Sequence, residues 1–360
     1  MPTPTRASVK ALPPYVLAEQ NLPGIAHPIL LAQNELGAPP SPRAVAAAGT
    51  ALTQLNRYPN PDHLSLREAI AQVHGLSSER LLCGAGSMEL LGLLAQCYCE
   101  PGAEMVMTQF GYKFFQLQCT LAGAQIHVVP ENDMTADVPA IAAAVTEATR
   151  LVFVVNPNNP TGALLAPGEV ARLRALLPEH VLLVLDCAYA EFVSGQAYEN
   201  GFDLVDQGAN IVVLRTFSKA YGLAGLRIGW LYGPADVVAA LSAARPPNSV
   251  TTPGLAAAQA AVEDQDHLKC AVAEVVELRQ ALSEKATTLG LEPRPSQGNF
   301  LLIGCPEAGP LSAHPLYEGL KKSGIVVRPM TSYDLPHHLR VTIGSRAEMT
   351  KFDEALEKLL

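Results

Sequence analysis

Between residues 43 and 258, short β-rich apolar runs alternate with alanine- and leucine-rich amphipathic stretches. RLLCG precedes SMELLGLLAQCY, EMVMTQ precedes YKFFQLQCTLAG, and LVFVVNP precedes PGEVARLRALLP. Short apolar runs bounded by turn residues predict strands, and apolar positions three and four apart predict helices. The alternation predicts an α/β fold with a mostly parallel central sheet, whose ligands gather at the carboxyl ends of the strands. VLLVL and LVFVV contain no polar break, so they are expected as central strands buried on both faces.

The two ends of the chain follow different patterns. Residues 1–42 are proline-rich, with little helical periodicity before SPRAVAAAGTALTQL. They predict an extended arm lying on the surface of another element, either to serve a partner subunit or to cap a cleft. After Pro253 one long helical stretch is expected over residues 254–289, followed by NFLLIG, IVVRP and LRVTIG with helical segments between and after them. The expected organisation is an arm (1–42), a large lobe (43–258) and a smaller α+β C-terminal lobe (259–360). Internal repeats are not evident.

Composition narrows the function classes. A chain of 360 residues, 49% hydrophobic, can bury a large core and a second lobe. A formal net charge of −9 leaves no general basic surface for a polyanion, so nucleic acid is not an expected partner. The opening MPTPTRASVK lacks an apolar signal core, and the longest apolar runs fall far short of a membrane span, which predicts a soluble, cytoplasmic protein. Cys83, Cys97, Cys99, Cys119, Cys187, Cys270 and Cys305 include no CxxC pair. Reduced thiols and no structural metal are expected.

Four segments carry chemistry. In LRTFSKAYGLAGLRIGW, residues 214–230, a strand runs into Ser218 and Lys219, then a glycine-rich turn, then Arg227. An isolated SK dipeptide reads as a surface lysine. This setting of hydroxyls, glycines and arginine instead suits a Schiff-base lysine beside a phosphate anchor. In VLLVLDCAY, residues 181–189, a buried strand ends on Asp186. A carboxylate there is costly without a cation, and a pyridinium nitrogen is such a cation; a helix cap is the plainer alternative. In LVFVVNPNNPTG, residues 151–162, a strand ends in a turn too rich in Asn, Pro and Gly to continue as sheet. That turn either is only a tight reversal or sets the Asn159 amide against a ring oxygen. In CGAGSMELL, residues 83–91, small residues lead into a helix N-terminus, an anion site by geometry though a common feature.

With NNPTG, D-x-A-Y and SKAYGLAGLR in this order, the chain resembles the fold-type I aminotransferases over nearly its whole length, most closely the histidinol-phosphate aminotransferase group. The resemblance implies pyridoxal 5'-phosphate as cofactor, with Lys219 as the Schiff-base lysine that also shuttles the substrate proton. It pairs Asp186 with the pyridinium nitrogen, Tyr189 and Asn159 with the ring hydroxyl, and Tyr112 with the ring face. It implies a phosphate cradle of Ala85, Gly86, Ser87, Thr216, Ser218 and Arg227, with Tyr58 reaching the phosphate of the neighbouring subunit in a homodimer with composite active sites. Arg340 matches an arginine that grips the substrate's carboxylate or phosphate; Arg328 matches a second, and Tyr15 and Asn299 are further substrate-binding candidates.

Two departures from the family pattern stand out. Cys187 replaces an acidic residue after Asp186, and the arm motif reads QNELGAPP at 33–40. Because the arm covers the substrate, the second bears on substrate identity more than on reaction type. The expected reaction is amino transfer between glutamate and 2-oxoglutarate on one side and histidinol phosphate or an aromatic amino acid on the other. A decarboxylase of a phosphorylated amino acid would use the same lysine and aspartate. A non-catalytic cofactor-binding regulator is the alternative of another class, against which stands the lack of an additional N-terminal domain or basic helix.

Overall fold

The computed structural model describes residue 3, residues 5–10, residue 12 and residues 19–359. Its strands are β1 (Ile29–Leu30), β2 (Leu81–Gly84), β3 (Glu104–Thr108), β4 (Gln125–Val129), β5 (Thr149–Val155), β6 (Leu182–Asp186) and β7 (Ile211–Thr216), then β8 (Gly229–Tyr232), β9 (Glu292–Pro293), β10 (Phe300–Gly304), β11 (Ile325–Val326), β12 (Arg328–Pro329) and β13 (His338–Thr342).

A seven-stranded sheet runs in the order β2-β8-β7-β6-β5-β3-β4. Its strands are parallel except β8, which runs antiparallel to both β2 and β7. Every residue of β6, β7 and β8 is buried. That is the burial expected of central strands with both faces covered. The apolar side chains of the sheet divide between a large cluster that includes Val152, Leu183 and Val213 and a second that includes Phe153, Val184 and Leu214. Alternate residues of each strand thus serve opposite faces. The register places Val155 beside Asp186 and Asp186 beside Leu214, so the carboxyl ends of β5, β6 and β7 lie side by side.

A second sheet, β12-β13-β10-β9, is antiparallel throughout. After it, the helix Arg346–Glu357 starts in a capping box, in which Ser345 and Glu348 each satisfy the other's backbone N–H. Two free helix-end donors are thereby paired.

Two expectations need correction. The stretch 254–289 is two helices, Thr252–Glu263 and Gln265–Thr288, separated at Asp264. The Asp264 carboxylate caps the second helix by accepting from the His267 N–H and is also reached by the Ser41 hydroxyl at 2.5 Å. A side chain that competes for backbone donors ends one helix and starts the next. The arm, in turn, does not only lie on a surface. β1 pairs in parallel with β11, and Leu31, Ala32 and Asn34 are buried. Residues 31–34 thus run beside β13, with Leu31, Ala32 and Asn34 turned inward and Gln33 exposed.

Candidate active site

A cavity of about 520 Å³ opens where the carboxyl ends of β5, β6 and β7 meet the arm and the strands β12 and β13. Val155, Asp186 and Thr216 reach it from the three strand ends, followed by Ser218 and Lys219 from the loop after β7. Ser87 and Tyr112 enter from the starts of two helices, Gln33, Asn34 and Glu35 from the arm, and Arg328, Tyr333 and Arg340 from the C-terminal sheet region. A strand-end crevice of this kind is the usual ligand site of an open α/β sheet.

Lys219 Nζ donates to the backbone carbonyl of Gln33 at 3.0 Å and lies 5.8 Å from the centre of the Tyr189 ring. Burial, with Arg340 and Arg227 nearby, brings its amine down to about 7 against the opposing pull of Glu35 and Asp186. An amine so placed is about half neutral at neutral pH, and that fraction is nucleophilic. Asp186 is buried and accepts from the Ala188 N–H at 3.1 Å. Burial pushes its carboxyl up to about 6, so a cation brought against it would be strongly favoured.

Around Tyr189 the side chains form a closed set. The Asn34 and Asn159 amides both donate to its hydroxyl oxygen, at 2.9 and 3.1 Å. Arg340 donates to Asn159 Oδ1 and to the Ala32 carbonyl, the latter at 2.7 Å. The Arg340 guanidinium also lies over the Phe300 ring, whose edge-to-face contact with Tyr189 has a centroid separation of 5.2 Å. An arginine of an exposed strand edge would be solvated; this one is only 8% exposed.

Ser87, Thr216, Ser218 and Arg227 line a recess of the same cavity. The helix Ser87–Tyr98 begins at Gly86, with φ 83° and ψ 163°, a conformation nearly confined to glycine. A Cβ on Gly86 would come within 2.6 Å of Arg227 Nη2, and one on Gly229 within 2.4 Å of the Ser87 nitrogen. Close approach of backbone, guanidinium and a helix N-terminus is what a phosphate needs. Arg227 also donates to the Ser218 hydroxyl at 3.3 Å, so the recess is organised by a loop and a helix together. Recess, buried carboxylate and low-pKa amine together suit a cofactor carrying a phosphate, a basic ring nitrogen and an aldehyde.

Not every residue singled out in the sequence reaches the cavity. The Ala85 N–H is taken up by Glu89 Oε2 at 2.6 Å, which places Glu89 behind the recess. Asn299 is fully buried beneath the cavity wall, where its amide donates to the Asn34 and Glu35 carbonyls at 3.0 and 3.2 Å. Its amide nitrogen therefore holds the arm. Tyr58 is 87% exposed on the outside of the chain, and Tyr15 lies outside the described residues. Sequence reasoning missed Gln33, Asn34, Thr342 and Tyr333. Only the arm motif QNELG carries a signal for the first two.

The profile described as aminotransferase class I and II matches residues 26–359. The chain is similar to the histidinol-phosphate aminotransferase of Rhodopseudomonas palustris, with 45% identity over 315 residues, 88% of this chain and 86% of that protein. It is also similar to the histidinol-phosphate aminotransferase of Cereibacter sphaeroides, 41% identical over 342 residues, 95% of this chain and 94% of that protein. Among solved structures, the histidinol-phosphate aminotransferase of Sinorhizobium meliloti in complex with pyridoxal-5'-phosphate superposes with a TM-score of 0.88 at 30% identity, covering 99% of this chain and 97% of that one. Among the described residues no helix is long and apolar enough to cross a membrane. The chain belongs to the class I and II aminotransferases, pyridoxal-phosphate-dependent enzymes of fold type I.

Proposed function

We propose that the enzyme moves an amino group between histidinol phosphate and 2-oxoglutarate, with glutamate as the other amino partner. The observation that carries this reading is the placing of Arg328 and Arg340 on one cavity wall, as direct partners in the β12–β13 ladder. Two guanidiniums can hold a phosphate in one half-reaction and a carboxylate in the other. The names of the relatives support the phosphate-bearing substrate. An aromatic amino acid is the other donor class that this wall would accept.

The chemistry that pyridoxal phosphate supplies when bound is an electron-accepting ring. In this reading the Lys219 amine removes the proton from the amine-bearing carbon and returns it elsewhere, as general acid and base. The Asp186 carboxylate pairs with the ring nitrogen and keeps it protonated. Tyr189 and Asn159 hydrogen-bond the ring oxygen, and Tyr112 covers a ring face. Gly86, Ser87, Thr216, Ser218 and Arg227 form the phosphate recess, and Arg340 and Arg328 orient the substrate's anionic group.

Residues 43–258 form the cofactor lobe in this reading, and 259–360 the small lobe. The exposed Tyr58 has a place if it enters the site of a second copy, which makes the working unit a homodimer with composite sites located in the cytoplasm. The test is a panel of amino donors, with histidinol phosphate, histidinol, phenylalanine and tyrosine each assayed with 2-oxoglutarate. The reading requires kcat/KM to be highest for histidinol phosphate and to fall sharply for histidinol. Equal values for those two would remove the phosphate from the account, and product formed without 2-oxoglutarate would indicate a lyase.

A further inference from the structure

We infer that Asn34 and Thr342 are positioning residues that make the Tyr189 hydroxyl a pure hydrogen-bond donor towards the cofactor ring oxygen. The inference rests on the proposed placing of that oxygen beside Tyr189.

The orientation of each amide follows from its neighbours. The Thr342 hydroxyl accepts the Asn34 backbone N–H at 2.9 Å, so its own proton is free for Asn34 Oδ1 at 3.2 Å. In the structure the Thr342 hydroxyl donates to Asn34 Oδ1, and Asn34 Nδ2 donates to the Tyr189 hydroxyl at 2.9 Å. The second amide is fixed by its charged neighbour. A guanidinium has no acceptor, so the contact of Arg340 with Asn159 makes the touching atom Oδ1 and leaves Nδ2 for Tyr189.

Arg340 and Thr342 are two apart on β13 and therefore share one face of the strand. One strand face thus sets both amides. A phenol oxygen has two acceptor positions and one proton. With both acceptor positions filled by amide N–H groups, the proton must be given to a third partner. Tyr189 lines the cavity, where that partner would sit.

Asn34 is well held for this task. It is buried, has φ 54°, and its carbonyl accepts from Asn299. Lys219, Asp186, Arg340 and Tyr333 are the charged or titratable groups around the phenol. Burial pushes that phenol up to about 12, with Arg340 and the Asn34 hydrogen bond acting in the opposite direction. An amide donor on the phenol oxygen strengthens the proton it gives away, so removing it leaves the ring oxygen more basic.

The experiment is a pH titration of the visible absorbance of the cofactor-loaded enzyme. Asn34→Gly removes the amide while tolerating the left-handed backbone, and Thr342→Val removes only the hydroxyl at nearly constant shape. Both should raise the titration midpoint by about one pH unit, and Thr342→Ser should restore it. In a Tyr189→Phe background neither should add a further shift, because the effect passes through the phenol. A shift of the same size in that background, or no shift in either single variant while Tyr189→Phe itself moves the midpoint, would overturn the inference alone. If Tyr189→Phe leaves the midpoint unchanged, the proposed ring-oxygen contact fails and the inference fails with it.

Discussion

Arg328 and Arg340 stand directly opposite one another across the β12–β13 ladder, so two guanidiniums share one wall of the cavity. Like charges facing each other across a sheet are unfavourable, and an anion bridging them relieves that repulsion. Arg340 is the more deeply set of the two, held over Phe300 and bound to the Asn159 side chain.

Arg340→Ala is therefore expected to weaken both the phosphate-bearing donor and the oxo acid, by about 2–5 kcal/mol each for a charged contact in a partly closed site. Arg328→Ala should weaken the phosphate-bearing substrate more than the carboxylate one. Single-turnover kinetics of each half-reaction separates the cases. Loss of only one half-reaction in Arg340→Ala would show that the two substrates are held by different groups.

Burial brings the Lys219 amine from its ordinary 10.5 down to about 7. Covalent capture of pyridoxal phosphate needs the neutral amine, so its rate should rise with pH around 7 and level off above. The same shift has a stability consequence. Between 7 and 10.5 the folded state binds fewer protons than the unfolded chain, so the empty enzyme gains stability as pH rises through that window. Stopped-flow capture rates give the midpoint directly, and a rise centred near 10 would show that the amine is not perturbed.

Much of this was legible in the sequence. Unbroken apolar runs placed β5 and β6, and Asp186 at the end of VLLVLD fell where a strand end meets the cavity. What was not legible depends on register between distant strands. That Thr342 faces Asn34 and Arg340 faces Asn159 follows from how β13 meets the arm and the turn after β5, a juxtaposition no local pattern encodes. The break at Asp264 was missed because alanine-rich helical periodicity continues on both sides, and only the capping geometry marks the boundary. The antiparallel direction of β8 was hidden in the glycine-rich segment after Lys219, where the chain reverses through Arg227 in a left-handed conformation.

Gly86→Ala should impair cofactor binding without disturbing the sheets. The new Cβ would sit 2.6 Å from Arg227 Nη2, at a backbone conformation suited to glycine, for a cost of about 1–3 kcal/mol. Equilibrium dialysis of pyridoxal phosphate should show weakened retention, with thermal unfolding of the empty protein lowered only by that strain. Unaltered affinity would mean that the recess is not the phosphate site.

Subunit mixing tests the composite site. Tyr58→Ala and Lys219→Ala proteins, each inactive or nearly so, should regain activity when unfolded and refolded together. A mixed dimer has one site with an intact lysine and an intact neighbouring tyrosine. Activity no greater than the sum of the separate proteins would place Tyr58 outside the site.

The central claim is that the Lys219 amine carries the amino transfer, and the most direct measurement compares Lys219→Ala with the parent enzyme. Both are supplied with pyridoxal phosphate, histidinol phosphate and 2-oxoglutarate, and glutamate is quantified against the oxo product, with unfolding curves recorded to show that both proteins are folded. Because the buried strands of the sheet hold the fold, Lys219→Ala should fold normally, while the parent forms glutamate and oxo product in equal amounts and the variant forms neither at a measurable rate. Glutamate formation by Lys219→Ala at the parent rate would contradict the account.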